Sequence, residues 1–432
     1  MIYSSFRNCS GLQKYRKALA MALILVLSPG CHLAPPQTGP LQERGYLWQR
    51  NWTPAVAAGF QEAERRMDGV VVLGAEVSWA AGAAQTVRAD IEWERLRGNP
   101  VSLAVRVAPY GGPFAENAGP YPAVAAEVAR LLREASAHGI HPQEIQIDFD
   151  CGARKLSGYA IWIHALRQVV GTMPLVITAL PSWLDERDFP ALAHEADYYV
   201  LQVHSVPTLA ESGHAVLCDP MLARKWVSKA SQLGIPFSVS LPSYWCVAGF
   251  GPNGKLLGVA MDSVQPAWPP GTSALEFAAN ADDIAALVAE WRQSRPPRMR
   301  DLLWYRVPVA TDQRNWRWPT LTAVMAGRNP VHRLDVACDG ANPVDVSIIN
   351  HGEAEERTPC AVTLTWTGPA VTASDVLPGW TLDVDKNCAT FSTAPGEELR
   401  LSPGDARSIG WIRYDQVTVP HWHVEERSYP AR

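Results

Sequence analysis

The chain has 432 residues, 47% of them hydrophobic and 19% charged, with a formal net charge of −5. That apolar fraction excludes a disordered or collagen-like chain, and the absence of any apolar run of 18 residues excludes a multi-span membrane protein. Residues 1–30 hold four of the 38 basic side chains and none of the 43 acidic ones, so the remainder carries a net −9. With no Lys/Arg cluster, this balance argues against nucleic acid as a partner.

In chain order, Arg7, Lys14, Arg16 and Lys17 precede a ten-residue apolar run, Ala18–Leu27, and then Ser28-Pro29-Gly30-Cys31. A basic start, a short apolar core and small residues read as a secretory signal over 1–30, too short to span a bilayer as a stable helix. Gly30-Cys31 resembles the lipobox of bacterial lipoproteins, although Ser28 and Pro29 stand where Leu and Ala or Ser are usual. That resemblance implies lipidation of Cys31 and anchoring to a bacterial membrane, in the periplasm or at the cell surface, with residues 31–44 as a linker. Beyond Cys31 the cysteines are Cys151, Cys218, Cys246, Cys338, Cys360 and Cys388. None has zinc-ligand spacing. Export makes disulfides possible, and three cysteines on either side of residue 330 leave one bridge between halves or a free thiol in each.

From residue 45 to 330 apolar β-rich runs alternate with helical patterns. The strand candidates are Tyr46–Trp52, Val70–Trp79, Val101–Tyr110, Glu144–Cys151, Pro174–Pro181, Tyr198–His204, Pro236–Leu241 and Leu302–Val307, each of about six to ten residues. Helical spacing is clearest over Tyr121–His138, Leu156–Val170, Met221–Leu233 and Ala279–Trp291. Eight strands with crossovers predict an α/β fold, a (β/α)8 TIM barrel. An open doubly wound sheet would usually carry a Gly-rich phosphate turn after its first strand, and Asn51-Trp52-Thr53-Pro54 is none. After Pro330 the helical rhythm stops. Alternating runs at Val344–Ile349, Ala361–Trp366 and Arg407–Tyr414 predict a small all-β, sandwich-like C-terminal domain over 331–432; the stretch from Val417 is unassigned.

Barrel chemistry collects where strands end. In the fourth candidate, period-2 alternation places Gln146, Asp148 and Asp150 on one face and Ile145, Ile147 and Phe149 on the other. Two carboxylates on one inward face raise one another's pKa, which lets a proton donor and an ionised partner coexist. The plainer alternative is an ion pair inside the barrel, with Arg106 as partner. Other strand ends supply Glu76, Arg106, Tyr110, Gln202, His204 and Tyr244, with Trp79, Trp183, Tyr244 and Trp304 as an expected aromatic rim. Rings that cover sugar faces beside carboxylates that handle the glycosidic oxygen suit a polysaccharide. Serine-hydrolase and zincin motifs are absent. A metal held by Asp148, Asp150 and His204 is a minor alternative. No cofactor is expected.

Ile147-Asp148-Phe149-Asp150-Cys151, Leu201-Gln202-Val203-His204-Ser205, Leu241-Pro242-Ser243-Tyr244 and Trp304-Tyr305-Arg306-Val307-Pro308 resemble the domain-of-unknown-function 3142 family of bacterial exported proteins, over about 45–330. A more distant resemblance is to chitinase-like family 18 glycoside hydrolases, whose fourth strand carries Asp-x-x-Asp-x-Asp-x-Glu. Asp148 and Asp150 match its second and third acids, but Ile145 stands at the first and Gly152 at the terminal Glu that acts as general acid. The resemblance therefore implies either a carbohydrate-cutting barrel whose proton donor lies at another strand end, with Glu76 or Asp312 as candidates, or a barrel that binds sugar without cutting it. The expectation is an exported glycoside hydrolase using Asp148, Asp150 and Glu76, with Trp79, Arg106, Tyr110, Gln202, His204, Tyr244 and Trp304 binding substrate. The alternative is a non-catalytic carbohydrate-binding or envelope scaffold lipoprotein.

Overall fold

A computed structural model describes residues 40–206, 216–261 and 267–426; the signal run and Cys31 lie outside them. Eight parallel strands, β1 (Gln42–Leu47), β2 (Gly69–Ala80), β3 (Val101–Val107), β4 (Ile145–Phe149), β5 (Leu175–Ala179), β6 (Tyr198–Gln202), β7 (Phe237–Pro242) and β8 (Met299–Tyr305), follow one another around the sheet. Pairing of β1 with both β8 and β2 closes the circle. This is the predicted (β/α)8 barrel. The helices are α1 (Pro54–Arg66), α2 (Tyr121–Ala137), α3 (Leu156–Val170), α4 (Phe189–Glu195), α5 (Pro220–Gln232), α6 (Ala281–Gln293) and α7 (Trp318–Met325). Between β2 and β3 a hairpin strand, Ala83–Arg88, and a single 3-10 turn replace the helix.

Local chemistry sets these starts. Thr53 caps α1 by accepting from the Val56 amide, with Pro54 in the first turn, so the Asn51–Pro54 turn begins a helix. Asn280 caps α6 the same way, with Asp282 and Asp283 in its first turn, where the helix dipole favours anions. Each barrel strand sends one set of side chains out to the helices and the other into the barrel. The outer layer holds Val72, Leu103, Ile147, Ile177, Leu201, Val239 and Leu302. The inner set includes Tyr46, Val71, Ala104, Val176, Val200 and Leu303.

A polar plug fills the N-terminal end of the barrel. Arg44 donates to Glu144 Oε1 (2.7 Å) and the Tyr198 hydroxyl (2.8 Å) and pairs with Asp301 (3.1 Å). Gln146 donates to Glu144 Oε1 (2.7 Å) and accepts from the Tyr46 hydroxyl (2.8 Å). Burial opposes ionisation of Glu144, yet Arg44 and the hydrogen bonds from Tyr198 and Gln146 outweigh it and lower its pKa. These charges are why β1 starts at Gln42 rather than at the predicted Tyr46: Glu43 and Arg44 look like linker in sequence but are buried strand.

After β7 the chain makes an excursion, a three-stranded antiparallel sheet of Trp245–Phe250, Leu256–Ala260 and Ser273–Ala278 with the first strand central. The C-terminal region forms two four-stranded antiparallel sheets. One holds Leu334–Asp339, Val344–Asn350, Ala406–Tyr414 and Val371–Val376; the other holds Trp380–Asp385, Cys388–Thr393, Cys360–Thr365 and His421–Glu426. A separate apolar core between them, including Val346, Ile348, Val362, Phe391 and Ile412, makes this the expected sandwich-like domain. The unassigned stretch supplies its last strand. Cys151, Cys218, Cys246, Cys338, Cys360 and Cys388 are all free thiols, so each half holds free thiols and no bridge joins the halves among the described residues.

Candidate active site

β4 delivers the carboxylates. Ile145, Ile147 and Phe149 pack into the outer layer, which turns Gln146 and Asp148 inward and leaves Asp150 just past the strand end. The barrel register sets Arg106 of β3 beside both Glu76 of β2 and Asp148 of β4. The three charges therefore form one row across adjacent strands. A register shift at Gly74 sets the phase of β2 here; a side chain at that position would meet Leu131 at 2.5 Å.

Asp148 accepts from Thr178 Oγ1 (2.8 Å) and lies 3.9 Å from the Arg106 guanidinium. Burial and the charge of Asp150 raise its pKa to about 6, against the opposing pull of Arg106. Burial also raises Asp150, again opposed by Arg106. The two carboxyls are coupled and titrate as a pair. Both line a cavity of about 230 Å³ in the barrel mouth, with Tyr46, Trp48, Tyr244 and Tyr305 as aromatic walls and Thr178, Gln202, His204 and Ser240 as polar ones. Burial lowers the His204 pKa to about 4, leaving a neutral imidazole. Its ring stacks on Tyr305 at 6.0 Å, and its Nε2 lies 3.5 Å from Ser240 Oγ.

Trp48, Arg106, Met261 and Tyr305 also line a larger cleft of about 710 Å³. That cleft is lined by apolar Val259, Met261 and Val309 and by charged Arg50, Glu76 and Asp312. Cavity and cleft thus adjoin as one amphipathic groove across the mouth.

The structure brings together Asp148, Asp150, Arg106, Gln202, His204 and Tyr244 around the cavity, and places Glu76 in the adjoining cleft. Glu76 is paired with Arg50 and, at 3.3 Å, with Arg106. Asp312 is bound to Arg306 at 2.5 Å, and both are almost fully buried. The expected rim needs correction. Trp304 is fully buried against Trp316, its ring N–H donated to Glu43. Trp183 is equally buried and donates to the Cys151 carbonyl (3.1 Å). Tyr110 stacks on Trp162 behind the mouth and donates to the Pro113 carbonyl (3.1 Å). Trp79, 37% exposed, stands beyond the cavity on the β2 hairpin, edge-on to Tyr110. The rings that line the cavity instead are Tyr46 and Trp48 of the β1 end and Tyr305. Tyr305 follows Trp304 by one position, and only the phase of β8 distinguishes them. Among the described residues no three His, Cys, Asp or Glu side chains gather to hold a metal.

Asp148 sets a pH dependence of stability. Its folded-state pKa near 6 exceeds the ordinary 3.8, so the folded chain keeps the proton longer than the unfolded one. Stability therefore drops as pH rises from about 4 through 6. Asp148→Asn is expected to raise stability at pH 7.5 by about 1–3 kcal/mol and to leave it unchanged below about pH 4. Urea unfolding at both values checks this, and equal midpoints at pH 7.5 would refute it.

Fold and site together define a closed (β/α)8 barrel with a coupled carboxylate pair at its mouth. Residues 98–310, which span β3 to β8, match the model of a family described as a domain of unknown function (DUF3142), the family that the strand-end motifs resemble. Solved structures similar to this chain include the chitinase ChiA74 from Bacillus thuringiensis, at 10% identity and a TM-score of 0.42, covering 90% of this chain and all of that one. The spore cortex-lytic enzyme SleL from Bacillus cereus aligns at 11% identity and 0.46, over 68% of this chain and 75% of that one. A class V chitinase from Nicotiana tobaccum aligns at 13% identity and 0.44, over 67% and 99%. The search of curated proteins gave no match.

Proposed function

We propose that this chain hydrolyses a glycosidic bond in an extended glycan. The observation that carries the proposal is the coupled Asp148/Asp150 pair, set where an aromatic-walled cavity opens into a longer amphipathic cleft. The rings offer flat surfaces to the apolar faces of a sugar, and the cleft has room for further units of the chain. The carboxyl pair shares one proton, which Asp150, at the strand end, delivers to the glycosidic oxygen as the C–O bond breaks. Asp148 sits deeper, fixed by Thr178, and its negative charge stabilises the oxocarbenium-like sugar. Water then adds to the anomeric carbon and returns a proton to the carboxyl pair. Neutral His204 and Gln202 hydrogen-bond sugar hydroxyls. Glu76, held between two guanidiniums, acts in this scheme by fixing Arg106 beside Asp148.

Reducing-end release from a panel of polysaccharides and peptidoglycan is the direct test. Glycan retained without any release would instead support a binding module, in which the Arg106–Asp148 contact is a structural ion pair.

The proposal includes export and a lipid anchor on Cys31, supported by the residue pattern at 7–31. Cys31→Ser is expected to move the protein from the membrane fraction to the soluble one. Unchanged membrane partition would exclude the anchor.

A further inference from the structure

Tyr244 walls the cavity, and the next residue opens the excursion sheet that returns Met261 to the same cavity. An apolar cluster with Tyr305 of the barrel holds one face of this sheet, and the C-terminal domain holds its Trp245 edge. Three guanidiniums lie over the Trp245 indole: Arg314 of the barrel at 4.8 Å, and Arg357 and Arg400 of the sandwich at 4.9 and 5.6 Å. The buried Trp245 ring nitrogen has no hydrogen-bond partner among the described residues, so its faces rather than its N–H fix the ring. Glu276, on the third strand of the sheet, is bonded to Arg357 and, at 2.9 Å, to Arg400. Arg314 adds a bond to the Ala260 carbonyl (2.6 Å), one residue before Met261.

The seam itself is loosely filled. A void of about 180 Å³ lies between the two parts, lined by Tyr244, Trp245, Trp316, His332, Glu355 and Arg357. Barrel and sandwich keep separate apolar cores. Stacked arginines and one shared carboxylate therefore add to the apolar packing of Tyr244, Cys246, Phe250 and Phe277 in setting where the Trp245 edge of the sheet sits. Guanidinium–indole contacts of this kind hold planar groups in defined orientation.

We propose that Arg357 and Arg400 are positioning residues: acting through Trp245 and Glu276, they keep Tyr244 and Met261 at the cavity wall. The C-terminal domain is thereby a working part of the mouth. The geometric claim stands without any reaction; its catalytic consequence rests on the glycosidase proposal above.

The test is the full-length Arg357→Gln/Arg400→Gln double variant, read by hydrogen exchange and by glycan kinetics. Amides in 244–261 are expected to exchange about 10-fold faster or more, while β1–β6 keep wild-type protection. KM for the glycan found by the reducing-end assay is expected to rise about 10-fold, with kcat within about threefold. Unchanged exchange over 244–261 overturns the proposal, and so does faster exchange with unchanged KM. Faster exchange in a protein whose wild type hydrolyses no glycan supports the clamp and removes the glycosidase reading. If the double variant does not fold, Glu276→Gln alone should speed exchange over the same segment to a smaller degree.

Discussion

Replacing Asp150 with Asn is expected to lower glycan hydrolysis by about 10²–10⁴-fold, the usual loss when a positioned proton donor is removed. Asn is nearly isosteric with Asp, and among the described residues Asp150 makes no hydrogen bond that builds the barrel, so folding and glycan retention should stay close to wild type. Removing a ring should act in the opposite sense. Trp48 lines both cavity and cleft, so Trp48→Ala is expected to weaken retention while sparing most of kcat. Reducing-end release and pull-down on the same glycan separate the two effects. Full activity in Asp150→Asn would eliminate Asp150 as the donor, and Asp148→Asn would then have to abolish turnover for the pair to keep its place.

The second large effect concerns the plug. Arg44→Met is expected to cost about 3–5 kcal/mol of stability, because it leaves Glu144 and Asp301 as buried carboxylates without their cation. Adding Glu144→Gln to that variant should recover part of the loss, since one uncompensated charge disappears while the amide oxygen still accepts from Gln146 and the amide N–H can donate to the Tyr198 hydroxyl. Denaturant midpoints of the two variants at pH 7.5 decide the matter. A single variant within about 1 kcal/mol of wild type would show that the buried charges already relax elsewhere.

The eight strands were legible because parallel strands covered by helices read as apolar runs, and the facing of Asp148 was legible because β4 alternates cleanly. The same rule explains the failures. Strand β8 is apolar on both faces over Leu302–Tyr305, so nothing in Leu-Leu-Trp-Tyr shows that Tyr305 rather than Trp304 faces inward. At β1 the buried Glu43 and Arg44 look like solvent-exposed linker, which moved the predicted strand forward and hid Tyr46 and Trp48 at its mouth end. Tyr110 fits the period of β3 but lies beyond its last residue, Val107, where the period no longer applies. The arginine clamp depends on distant contacts, Arg357 and Arg400 meeting Glu276 across 81 and 124 positions, and no local pattern announces them.

Barrel closure decides when the proposed activity can begin. The cavity needs rings from both ends of the barrel: Tyr46 and Trp48 follow the first strand's path, and Tyr305 ends the last, at 6.0 and 5.7 Å from them. During synthesis the ribosome must therefore add some 260 residues between the first of these rings and the last. Until then the nascent chain carries both aspartates but no enclosed cavity, and every truncation short of residue 305 should be inert. Under the proposed function and export, such a chain stays silent during its own biogenesis and becomes active only on the far side of the membrane.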